Sequence, residues 1–210
     1  MAHGTFSGDP RTVWLTQDGT EDREMRVIER FAFTDPKDRV WEAPADAIVN
    51  GASIPRALWS VVGSPYTGDY RRASIVHDVA CREAGENRTK RRAADRMFFH
   101  ACRAGGCSTW QAVVLYLGVR LGAAARRVPA WQAAVAAESA GPRLRRTESE
   151  LQLERDFQTF AEDVLAQGET DEPRELERRA DRALARTQAS RRSQAGKPRR
   201  AAKGYRRPLK

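Results

Sequence analysis

Apolar and polar positions change period about a quarter of the way along the chain. Over residues 12–49 the pattern is β-like. Val13-Trp14-Leu15 reads as a short strand, and Met25 to Phe33 as a longer one with partial alternation. Asp35-Pro36 breaks the run, and Val40-Trp41 and Ala47-Ile48-Val49 predict two more strands. Asn50-Gly51 is a turn signal. Ala52 to Trp59 then opens a short helix or turn, with Pro55 tolerated early, and Gly63, Pro65 and Gly68 mark an irregular loop.

Helical spacing follows. The first helix is predicted from about Asp69 to Ala84, ended by Gly85. The second opens at Thr89 as its cap and runs to about Ala104, where Gly105-Gly106 stops it. Ser108 caps the third, which continues to about Ala125 and carries Val113, Val114, Tyr116, Leu117 and Leu121. Pro129, Gly141 and Pro142 make residues 128–146 a linker with an Ala-rich helical turn. Leu153, Phe157, Phe160 and Val164 then mark an amphipathic helix, and Leu176, Ala180 and Leu184 a second beyond Pro173. Their thin apolar stripes can dock on the core, pair with each other or mediate oligomers. The expected class is α+β: a leader without order (1–11), a core of short strands and three helices (12–127), the linker, a helical extension (147–187), and a disordered tail (188–210).

Charge changes this picture in one place. The formal charge is +9, from 37 Lys and Arg against 28 Asp and Glu. The tail holds Arg191, Arg192, Lys197, Arg199, Arg200, Lys203, Arg206, Arg207 and Lys210 without one acid, so the rest of the chain is neutral. Such composition predicts disorder and either a solvating tail or one that binds a polyanion, a nucleic acid or an anionic membrane. Three cysteines, Cys81, Cys102 and Cys107, are too few and too irregular for a disulfide framework and read as buried thiols. Met1 to Arg11 has no apolar stretch of a secretory signal. Trp110 to Ala125, the longest apolar run, contains Arg120 and is shorter than the ~20 residues of a membrane span. The expected setting is a bacterial host's cytoplasm, or a virion.

The candidate chemistry lies at the first helical hairpin. His77 lies ten residues before Asn87, in the short link, and Asp95 eight after it. At about 1.5 Å of rise per residue the two reach nearly the same level on antiparallel helices. Both sit on stripes of small residues, Ala73, Ala80, Cys81 and Ala84 facing Ala94, Ala101 and Cys102, which let helices approach closely. A buried carboxylate needs a partner, so Asp95 is expected to orient His77. The pair suits general-base chemistry and equally suits a structural bridge. Asp78 reads as a salt bridge to Arg82 or, more sharply, as a metal ligand with carbonyls from the loop at 50–68. His100 reads as surface, and His3 as part of the leader.

Several of these pieces carry a resemblance. Asn50-Gly51-Ala52-Ser53-Ile54-Pro55-Arg56, Trp59, Ala73-Ser74-Ile75-Val76-His77-Asp78, Ala93-Ala94-Asp95-Arg96-Met97-Phe98 and Tyr116-Leu117-Gly118-Val119-Arg120-Leu121-Gly122 resemble the phage-associated family called domain of unknown function 1353. The resemblance implies a phage or prophage source and a small α+β domain, with no known activity. More distantly, the His-Asp pair on one helix and the Asp on the next are similar to phospholipase A2. That similarity implies His77 as the base, Asp95 as its orienting group, and Asp78 with Asn50 as calcium ligands. The first family usually has Asp where Asn50 stands and Tyr where Cys81 stands, which removes a charged ligand and a hydroxyl.

The reading favoured is a non-enzymatic morphogenesis or virion-associated module. Its tail would bind a polyanion, and residues 147–187 would contact phage structural proteins or a second copy. The alternative is a lipid or ester hydrolase, with calcium as cofactor and His77 as general base oriented by Asp95.

Overall fold

The first and last described elements pack onto the same apolar centre. A computed structural model describes residues 3–16, 24–51, 54–62, 68–138 and 145–195. Two small antiparallel sheets come first. β1 (Thr5–Phe6), β4 (Phe31–Thr34) and β5 (Val40–Ala43) form one, in the order β1-β4-β5. β2 (Thr12–Leu15), β3 (Glu24–Val27) and β6 (Ile48–Val49) form the other, in the order β2-β3-β6. A 3-10 turn (Arg56–Leu58) and a short α1 (Trp59–Val62) lead to α2 (Arg71–Ala84), α3 (Arg88–Ala104), α4 (Thr109–Ala125), α5 (Pro129–Glu138), α6 (Glu148–Leu165) and α7 (Pro173–Ala195).

Short strands followed by helices match the expected α+β class, with five differences. The run from Met25 to Phe33 is two strands in different sheets. A single strand would point Met25, Val27, Glu29, Phe31 and Phe33 to one face and bury Glu29. The chain breaks at 28–30 instead, leaving Glu29 exposed and paired with Arg11. The second helix is capped by Asn87, not Thr89, its side chain accepting the Lys90 N–H at 3.0 Å.

Residues 5–6, placed in a leader without order, pair with β4. Gly4, at φ +103°, lets the strand lie where any side chain would strike the Thr34 carbonyl. Residues 129–138, placed in the linker, form α5 and bury Trp131 completely, its Nε1–H donating to Asp156 Oδ2 at 2.7 Å. Residues 188–195, placed in the disordered tail, continue α7, and Arg191 pairs with Asp156 at 2.8 Å. Residues 196–210 lie outside the described residues.

The stripes of the last two helices face inward. Leu153, Phe157, Phe160 and Val164 of α6 and Leu176, Ala180 and Ala183 of α7 are buried in one cluster with Phe98, Leu115 and Trp131. Burying each large apolar side chain contributes about 1.5–3 kcal/mol, so docking on the core is the stable use of these stripes. Thr147 and Glu150 close a reciprocal capping box at the start of α6. Among the described residues no helix is long and apolar enough to cross a membrane.

Candidate functional site

Helices α2 and α3 are joined by Gly85–Asn87 and lie side by side, so their small-residue stripes meet. His77 Nε2 lies 3.1 Å from Asp95 Oδ1, as the hairpin register predicted. His77 is completely buried and Asp95 is 2% exposed. The imidazole packs 4.7 Å, centroid to centroid, from the Phe98 ring, and Cys81 Sγ lies 3.4 Å from Nε2 and 4.0 Å from Nδ1. Its second nitrogen therefore faces protein, not a solvent-filled cavity.

The pair continues outward through arginine. Arg120 of α4 donates from Nη1 to Asp95 Oδ2 at 3.2 Å and from Nη2 to Asp181 Oδ1 at 2.6 Å. Arg92 of α3 grips Asp181 at 2.6 and 3.1 Å and Glu177 at 2.7 Å, and Arg96 bonds Glu177 at 2.6 Å. A ladder of alternating charge thus runs from the core to the face of α7. The sequence pattern set Arg120 against a membrane span and within a family motif, but gave it no place in the site. Its position as the lone charge in an apolar run was the available signal, because a buried charge demands a partner. Arg92 with Arg96 and Glu177 with Asp181 are each spaced by one helical turn, which is the pattern that matches two helices across a seam.

This surrounding fixes the charge of the pair. Burial by itself would push the His77 pKa down. The neighbouring Cys81 and the Asp95 carboxylate outweigh it and raise the value to about 10. Burial pushes Asp95 up, but His77 and Arg120 outweigh it and hold its pKa below the ordinary carboxylate range. At neutral pH the pair is imidazolium and carboxylate. A buried imidazole held toward its protonated form is suited to bridging α2 and α3.

The other expected ligands are held differently. Asp78 is buried, and its expected partner Arg82 reaches it at 3.4 Å. Its Oδ2 also accepts the backbone N–H of Asn50 at 2.9 Å. Burial raises its pKa against the pull of Asn50 and Arg82, favouring the uncharged form. Calcium needs several oxygens turned toward it. Among the described residues Asp78 Oδ2 meets an N–H and a guanidinium rather than a set of oxygens converging on an ion. Residues 52–53 and 63–67 of the loop expected to add carbonyls lie outside the described residues. His77, Cys81 and Asp95 offer ligand atoms within 4.8 Å of one another, a donor set of the zinc type. A dication there would have to displace the His77 proton beside the charge of Arg120.

His100 and His3 depart from expectation. His100 is half-buried and lies 3.3 Å, Nδ1 to Nδ1, from His3, whose Nε2 reaches Asp171 at 3.0 Å. Burial first, and His3 second, lower the His100 pKa. The three cysteines are free and buried. Of the nine tail cations only Arg191 and Arg192 lie within the described residues, and Arg191 is held by Asp156.

The family described as protein of unknown function, DUF1353, matches residues 25–119, from β3 into α4. Over 119 residues the chain is 36% identical to the uncharacterised protein y4jT of Sinorhizobium fredii (strain NBRC 101917 / NGR234), covering 55% of this chain and 33% of that protein. A second protein of that strain, the uncharacterised y4iH, is 32% identical over 89 residues, covering 42% of this chain and 36% of that protein. The chain spans about a third of the length of these curated relatives. No solved structure matches it. His77, Asp78 and Asp95 fall inside the DUF1353 segment. Arg120, Glu177 and Asp181, which close the ladder, fall outside it.

Proposed function

We propose that this DUF1353 protein is a non-enzymatic module of a phage or prophage assembly, and that its basic C-terminal segment holds nucleic acid. One observation carries the non-enzymatic part: the only His–carboxylate pair joining α2 and α3 among the described residues is sealed and charged, so it ties the hairpin together rather than working on a substrate. The partner follows from composition. Residues 196–210 hold seven Lys and Arg and no acid. A polyanion repays such charge by releasing counterions. Duplex DNA is favoured over an anionic membrane because this segment has only Tyr205 and Leu209 as large apolar residues, too few for the apolar face that a membrane-lying segment needs.

The test is a salt series of duplex binding by the full chain and by a full-length variant with all seven of those Lys and Arg changed to Gln. The wild type should bind without sequence preference, with a log–log salt slope no steeper than about −6, since each neutralised phosphate contributes roughly −0.9. Equal affinity of the variant for duplex would overturn the assignment, as would tighter binding to anionic vesicles than to DNA. The hydrolase alternative predicts turnover of phospholipid or ester with calcium that His77→Ala abolishes. Such turnover would remove the non-enzymatic reading.

A further inference from the structure

Beyond the ladder, α3, α4 and α7 enclose a cleft of about 520 Å³, at whose back lies Asp95. Six guanidiniums line it: Arg88, Arg91, Arg92, Arg120, Arg127 and Arg192. Two carboxylates oppose them, Asp95 and Asp181, and both are already engaged, by His77 and Arg120 and by Arg92 and Arg120. Four arginines are left over. Arg91 bonds a carbonyl, that of Gly85. Arg127 reaches Glu86 only at 3.5 Å, and that carboxylate is 91% exposed. Among the described residues Arg88 and Arg192 bond no carboxylate. Arg120, 11% exposed, keeps a buried Nε–H without a partner among the described residues.

The placement of these arginines opposes helix stability. The start of a helix favours acids, because its free N–H groups and dipole carry positive charge. α3 has no acid in its first turn and instead carries Arg88, Lys90, Arg91 and Arg92 near its start. Cations crowded at a positive helix end, in a concavity, gain nothing from one another. An anion relieves all of them at once.

We propose that this cleft binds a small molecule carrying two or more linked phosphates, held by Arg88, Arg91, Arg127 and Arg192. A volume of this size suits a small ligand and is too confined for a duplex. The charge of a diphosphate or triphosphate matches the four unopposed guanidiniums, whose planar forks fit phosphate oxygens in pairs. Ala123, Val128 and Leu184 add apolar lining, which accommodates an organic group on the phosphates. Because α7 supplies one side and lies outside the DUF1353 segment, the site belongs to this chain's own extension. It does not rest on the nucleic-acid reading of the tail.

The experiment is calorimetric titration of the full chain, metal-free and at matched ionic strength, with inorganic pyrophosphate, inorganic tripolyphosphate, a nucleoside triphosphate and monomeric phosphate. Saturable binding of the linked phosphates, at least tenfold tighter than monomeric phosphate, is expected. The double variant Arg88→Ala with Arg127→Ala, both exposed and away from the core, should weaken it tenfold or more. Arg155→Ala, an exposed arginine on α6, should not. The full-length variant with the seven basic residues after Gly196 changed to Gln should bind pyrophosphate as the wild type does. Absence of saturable binding, indifference to the double variant, or loss in the tail variant would each overturn the proposal. A nucleoside triphosphate binding more tightly than tripolyphosphate would place the organic group on the apolar lining, and equal binding would leave the phosphates as the whole ligand.

Discussion

Asp95→Asn is the substitution that interrogates the buried pair most directly, since it removes charge with little change of shape. In the wild type the folded His77 titrates at about 10 and the unfolded imidazole near 6.5. The folded state therefore holds the extra proton between those values. The contribution is complete below about pH 6.5 and is lost as pH rises through 10. At 1.36 kcal/mol per pKa unit the ceiling is about 5 kcal/mol. Asp95 acts in the opposite sense. Its folded pKa is depressed, so its contribution is present above the ordinary value of 3.8 and lost as pH falls below it.

With Asn at 95, His77 keeps the burial that lowers its pKa but loses the carboxylate that helped raise it, so its pKa moves downward from the wild-type value. The variant should then gain less stability than the wild type as pH falls from 10 toward 6.5. The difference should be about 3–5 kcal/mol near pH 5.5, the usual cost of orphaning a buried charge, and should shrink toward pH 9.5. Urea unfolding followed by tryptophan fluorescence at several pH values measures this, with titrations common to both proteins cancelling. If the difference between the two curves is the same at every pH, the imidazole is neutral in the fold and the argument for a sealed ion pair collapses.

Three further outcomes follow from the packing. Arg120→Met should lower the urea midpoint by the equivalent of about 3 kcal/mol without changing the slope, because Asp95 loses one of its two cations; a loss below about 0.5 kcal/mol would contradict the ladder. Gly105→Ala should cost about 1–3 kcal/mol, since a methyl there runs into the backbone carbonyl of Asp69, whereas Gly118→Ala meets Ile54 at 3.4 Å and should cost under about 1 kcal/mol; equal Tm values for the two would count against that packing. Trp131→Phe removes the N–H that Asp156 accepts and should lower stability by about 1–2 kcal/mol, a Tm drop of a few degrees by calorimetry; an unchanged Tm would mean that Arg191 and Gln152 satisfy Asp156 without it.

Local pattern determined a good deal of this protein. The helices α2 to α4, their glycine stops and the Ser108 cap follow from spacing and capping chemistry that act within a few residues. The meeting of His77 and Asp95 was legible too, because a short link leaves two helices one arrangement and the rise per residue sets the level. Tertiary structure decided the rest. Glu29 splits one apparent strand in two only because the chain has an inside to keep it out of. His3 and Trp131 are ordered by partners 97 and 25 residues away, and no local signal specifies such partners. Most consequentially, whether a histidine beside an aspartate is a base or a fixed cation depends on what closes over it. That was decided by Cys81 and Phe98, which pack against the imidazole, and by Arg120, which α7 holds through Asp181.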